Sequence, residues 1–189
     1  MPMNTIIRTI ENCEKVELTG EDICQILEKL CDPNNPNIIT YSQLFDYDSI
    51  DDVLGEKGYV MLLYQIQDKY SGHWTCLFKQ KDHLVFFDPY GLAPDDEQRF
   101  IPAFHSLDNK GESVPHLTLL LQNSKYKVIH NTHKYQSDRR NVNTCGRHCC
   151  VRLKFRDLTP EQYHELMSVK DIDFMVSSLT LLYLSLIHI

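Results

Sequence analysis

Cys145 stands in the run Asn143-Thr144-Cys145-Gly146-Arg147-His148, with Gly72-His73-Trp74 and Phe87-Asp88-Pro89-Tyr90-Gly91 upstream. A thiol, an imidazole and a carboxylate, each in a distinctive local setting, are the parts of a Cys-His-Asp triad for nucleophilic catalysis. The cysteine lies where a loop meets a helix, and Asn143 or Thr144 can cap that helix. In the first turn its thiol faces unsatisfied backbone N–H groups and the positive end of the helix dipole, which favour the thiolate. Arg139, Arg140 and Arg147 push the same way. Gly146 lets the backbone approach a substrate carbonyl, and the Cys145 N–H is a donor for an oxyanion. Cys149 and Cys150, one turn deeper, read as packing thiols.

Two strands must hold the other two groups. Residues 72–79 and 83–88 form a tight hairpin, and pairing Phe78 with His83 sets Trp74 opposite Phe87 and His73 opposite Asp88. Directly opposed residues place their Cβ atoms ~4.5–5.5 Å apart, within reach of an imidazole–carboxylate hydrogen bond. Asp88 then fixes the tautomer of His73 and stabilises its imidazolium.

Around these groups the pattern predicts an α+β protein, a small mixed β-sheet flanked by helices. Thr19-Gly20-Glu21-Asp22 starts a helix with Ile23, Ile26, Leu27 and Leu30 on one face, and the loop 32–37 stops it. Helical turns follow at 41–46 and 49–54. Tyr59 to Ile66 is almost continuously apolar, the mark of a strand buried on both faces. Helices are predicted at 94–104 and 115–122 and a strand at 126–130. Three helices close the chain, at 145–156, 160–168 and 172–187; Thr159, Pro160 and Gln162 give the second a capping box.

The 189 residues suit one domain spanning 1–189, with globular contents of 42% hydrophobic and 24% charged residues. The net charge of -7 argues against nucleic-acid binding by the whole surface. It is unevenly spread: residues 125–156 hold nine Lys or Arg against one acidic residue, whereas residues 1–124 hold nine against twenty. This basic segment is either a solvated face or an anionic docking track centred on Arg139, Arg140 and Arg147. Seven cysteines and no apolar leader in Met1 to Ile10 point to a reducing, intracellular, non-secreted setting. Phe174 to Ile187 falls short of the ~20 residues of a membrane span and reads as a packed core helix.

The His, Asp and Cys runs, together with Gln136, resemble the cysteine proteases of the adenovirus protease and SUMO-deconjugase superfamily, over roughly residues 59–155. The wording Asn-Thr-Cys-Gly-Arg-His is closer to proteases of virophages and Maverick/Polinton-type elements. The resemblance implies a papain-like core of the adenovirus protease type, with the nucleophile at the N-terminus of a central helix. It implies that His73, Asp88 and Cys145 are catalytic, that Gln136 donates to the oxyanion, and that Trp74 shields the imidazole and lines the substrate cleft with Gly146. Gln136 stands nine residues before Cys145, against six or seven in the family, so loop 137–143 must bulge. The implied function is cleavage of capsid precursor proteins at Gly-Gly or Gly-Ala-like sites during virion maturation, at the assembly site in the infected cell and within the virion. No cofactor is required, and DNA or a peptide would be an activator. A deconjugase of a ubiquitin-like protein is the alternative within the enzyme class. From another class, His130, His133, Cys145, His148 and Cys149 have zinc-like spacing for a binding module, a reading that leaves His73 and Asp88 unexplained.

Overall fold

In the computed structural model, residues 3–65, 72–96 and 115–184 are described. They build a five-stranded mixed sheet in the order β1-β2-β3-β4-β5, from Ile38–Thr40, Tyr59–Gln65, Gly72–Gln80, His83–Phe87 and Lys127–His130. The central three strands are antiparallel, and the outer two add parallel to their neighbours. Helices are α1 (Met3–Cys13), α2 (Gly20–Leu30), α3 (Ile50–Leu54), α4 (His116–Gln122), α5 (Cys145–Lys154), α6 (Pro160–Leu166) and α7 (Ile172–Leu184). The α+β class expected from the sequence is the class observed.

Alternation along β2 fills both faces of the sheet. Tyr59, Met61 and Leu63 pack with Trp74, Cys76 and Phe78 against α2, α5 and α7. Val60, Leu62 and Tyr64 pack with Leu77, Leu84 and Phe86 against α3, α4 and the 3-10 turn Tyr41–Asp46. Helix α5 runs through the first of these cores and is buried from Cys145 to Leu153. Its last turn is held by Arg152, whose guanidinium donates to the Phe155 and Leu158 carbonyls and stacks on Phe78 and Tyr163.

Several expectations need correction. The hairpin pairs Phe78 with Val85 and Gln80 with His83, two residues away from the predicted register. Strand β3 continues to Gln80 because the buried Gln80 amide donates to the Arg156 and Leu158 carbonyls at 2.7 and 2.8 Å. Lys81, at φ +56°, supplies the left-handed position that a two-residue turn needs. An even slip leaves every side chain on its face. Helix α1 was not foreseen, although Met3, Ile6, Ile7 and Ile10 have helical spacing. The helix predicted at 94–104 lies, from residue 97 on, outside the described residues. The apolar C-terminal stretch packs as α7 against α1, α2 and α5; among the described residues no helix is long and apolar enough to cross a membrane.

Candidate active site

His73 leaves β3 one residue into the strand, and Asp88 follows β4 directly. The observed register sets Asp88 level with Thr75 and diagonal to His73, a separation long side chains can close. They do: His73 Nε2 donates to Asp88 Oδ1 at 3.2 Å, and the two residues are 6% and 0% exposed. The Cys145 thiol lies beside the same imidazole and acts on its pKa. With Nε2 taken by Asp88, Nδ1 is the nitrogen left for sulfur. Burial works against a charged ring, but the hydrogen bonds and charges of Asp88 and Cys145 outweigh it and hold the His73 pKa well above the usual histidine range. The three residues singled out by sequence therefore meet, with the imidazole between acid and thiol.

The acid is fixed by a group that the sequence reading missed. Asn131, just past β5, accepts from the Asp88 N–H at 2.9 Å and donates to the Asp88 carbonyl at 2.7 Å. Its amide thus continues the β4–β5 ladder by one step. Asp88 Oδ1 also accepts the Tyr90 N–H at 2.6 Å, closing the turn. Gly91 sits at φ +76°, and a Cβ there would come within 3.0 Å of the Thr132 and His133 carbonyl oxygens; only glycine lets the two loops approach so closely. Pairing with a strand-end amide has no motif of its own, which is why Asn131 was not legible. Asn131→Ala is expected to cost about 1–3 kcal/mol through two unmet buried backbone groups, read by urea denaturation, with activity lost in parallel.

Gln136 is delivered to this turn by its own backbone, its N–H donating to the Pro89 carbonyl. The side chain is buried, and Nε2 donates to Tyr90 Oη at 3.0 Å and to the Val142 carbonyl at 3.1 Å. Both amide hydrogens are engaged, so an oxyanion would have to compete with one of those acceptors. In the 137–143 loop Asn141 sits at φ +68°, and Asn143 ties the loop to the end of α1 through the Glu14 and Lys15 carbonyls.

Trp74 and Gly146 are both buried against neighbouring side chains. Trp74 is 3% exposed, its Nε1 donating to the Leu18 carbonyl, and belongs to the core beneath the site. The ring that covers the imidazole is Tyr90, stacked on His73 with centroids 5.0 Å apart. Gly146 is small because Trp74, Ile23 and Leu18 crowd it, a Cβ meeting them at 3.2–3.4 Å; it faces packed side chains rather than a cleft. Cys149 and Cys150 are fully buried packing thiols, their pKa values pushed well up, burial first.

The basic segment is also altered by folding. Arg147 is no surface contact: it is 1% exposed and donates to Thr180 Oγ1 and the Cys13 carbonyl. Burial outweighs its acidic neighbours and lowers its pKa. Arg139 is spread over Glu14, Asp171 and Asp173. Arg140 stays exposed. The zinc-module residues do not assemble: Cys145 is committed to His73, His148 to Asp173 and Cys149 to the Trp74 carbonyl, and His133 stacks on His164.

No protein-family model matches the chain. Among solved structures it is similar to SUMO protease Ulp1 with the catalytic cysteine oxidized to a sulfinic acid, at a TM-score of 0.46 and 14% identity, over 98% of this chain and 86% of that one. The sulfonic acid form of the same protease gives a TM-score of 0.41 at 13% identity, over 97% and 87% of the two chains. In sequence it is 37% identical over 153 residues to the uncharacterized protein V9 of Sputnik virophage, covering 80% of this chain and 83% of that protein. On that identity and coverage, the chain belongs to the family of the virophage protein V9.

Proposed function

We propose that the protein is a cysteine endopeptidase in which Cys145 attacks a peptide carbonyl and His73 passes the proton. The observation that carries this reading is the buried imidazole bridging Asp88 and Cys145. The raised pKa of His73 keeps a cation beside the sulfur, and a neighbouring imidazolium is what makes a cysteine a good nucleophile. Attack gives a tetrahedral oxyanion at the start of α5, where the Cys145 N–H has no intrahelical acceptor. His73 then protonates the leaving amine, and water, deprotonated by the same ring, releases the acyl group. The Gln136 amide is the second oxyanion donor once one of its hydrogens leaves Val142 or Tyr90.

Kinship with a virophage protein supports a viral role. The substrates we propose are capsid precursor proteins, cut at Gly-Gly or Gly-Ala-like sites at the assembly site in the infected cell and within the virion. DNA or a peptide is proposed as activator; with Arg147 buried, Arg140 and the exposed lysines remain to meet phosphate.

The test incubates wild-type and Cys145→Ala protein with a capsid precursor and, separately, with a folded ubiquitin-like protein bearing a C-terminal extension, and sequences the new termini. Internal cuts in the precursor by the wild type alone are expected. Cutting confined to the end of the folded modifier would instead support a deconjugase.

A further inference from the structure

Behind the nucleophile lies a second acid–histidine pair that the triad does not use. Asp173, in the first turn of α7, is 2% exposed and ionised inside the protein. Burial raises its pKa, but the donors around it prevail and hold it below the usual carboxylate range. Those donors all come from the segment that carries the site. Oδ1 accepts the Thr144 hydroxyl and His148 Nε2 at 3.0 Å. Oδ2 accepts the Ser137 N–H at 3.1 Å, with Arg139 at 3.7 Å. Ser137 follows Gln136 and Thr144 precedes Cys145. One carboxylate thus grips the chain next to both the oxyanion donor and the nucleophile, at either end of the long loop between them.

Two details show that the arrangement is specific. Thr144 is the N-cap of α5, yet its side chain makes no capping hydrogen bond because its hydroxyl is turned to Asp173. The first N–H groups of the helix are therefore not covered by the side chain that ordinarily covers them. His148 is fully buried, and its Nδ1 has no partner among the described residues. Burial outweighs Asp173 and lowers its pKa, so it is a neutral Nε2–H donor, since a proton on Nδ1 would be a buried, unmet charge-bearing donor. The other charged groups at this point are Arg139 and, through it, Glu14 and Asp171.

We propose that Asp173 is a positioning residue for Cys145, setting through Thr144 and Ser137 where the thiol and the Gln136 amide stand relative to His73. The proposal rests on Cys145 being the nucleophile. It is tested by the rate at which iodoacetamide modifies Cys145 between pH 5 and 9, resolved by site with mass spectrometry, alongside thermal unfolding. Thr144→Val keeps the shape and removes the donor; Thr144→Ser keeps the donor. We expect Thr144→Val to move the acid limb of the alkylation profile up by about one unit, a loss of about tenfold at a pH on that limb, and Thr144→Ser to restore it. Should Thr144→Val not fold, Asp173→Asn, which keeps one oxygen for its donors, carries the same expectation. A folded Thr144→Val or Asp173→Asn with the wild-type profile overturns the proposal, as does a Thr144→Ser that fails to restore it. A His73→Ala arm separates the two levels: if wild type and His73→Ala share one profile, the nucleophile reading itself fails and takes the proposal with it.

Discussion

Cys145→Ala is expected to abolish peptide-bond cleavage, a loss of roughly 10⁴-fold or more, with His73→Ala close behind because thiol and imidazole act as one unit. Both variants should fold. Alanine is a good helix former and Cys145 occupies the first position of α5. Its sulfur is a single atom beside His73, so removing it creates only a small void. Cys149→Ala is the informative contrast. Its thiol donates to the Trp74 carbonyl at 3.3 Å in the core, so the change should lower stability by about 1–2 kcal/mol and leave turnover of the folded protein near normal. Peptide cleavage and thermal unfolding measured on the same preparations distinguish the two outcomes. A silent Cys149→Ala protein beside an active Cys145→Ala protein would reverse the assignment.

Asp88→Asn is expected to lose about 10²-fold or more, less than His73→Ala. The geometry makes this an almost purely electrostatic change. Oδ1 takes both the His73 and Tyr90 donors, while Oδ2 has no partner among the described residues. An asparagine can keep its oxygen at the first position and put its NH2 at the second, so orientation survives and the charge does not. The consequence appears in pH dependence. The wild-type imidazolium persists to pH values well above the ordinary histidine range, so the alkaline limb of activity should lie high. In Asp88→Asn that limb should move toward neutral pH. Stability follows the same sign: with the native pKa raised, the contribution of the pair is complete below about pH 6.5 and is lost as pH rises through the native value. Unfolding midpoints that rise across that window in the wild type would contradict the pairing.

The sequence exposes side chains whose chemistry is local and hides those whose role depends on a distant partner. His73, Asp88 and Cys145 sit at a strand start, a strand end and a helix start, where chemistry-bearing groups project from regular backbone. The two-residue register error did no harm, because strand faces repeat every second residue. Asn131 and Asp173, and the stacking of Tyr90 on His73, escaped notice because each acts through the backbone or ring of a segment far along the chain. Asp173 and Thr144 are 29 residues apart. Arg147 misled for the complementary reason: an arginine beside a nucleophile suggests an exposed cation, and only the packing of α1 and α7 shows that it bonds Cys13 and Thr180 in the interior. Trp74 and Gly146, read from the sequence as cleft residues, pack here against Leu18 and, for Gly146, Ile23.

The central claim, peptide-bond hydrolysis by Cys145 with His73 as its proton carrier, is tested most directly by a protein-derived peptide library. The library is incubated with wild type, Cys145→Ala and His73→Ala, and new amino termini are identified by mass spectrometry. A consistent set of new termini is expected from the wild type, and none above background from either variant. Termini produced equally by Cys145→Ala would contradict it.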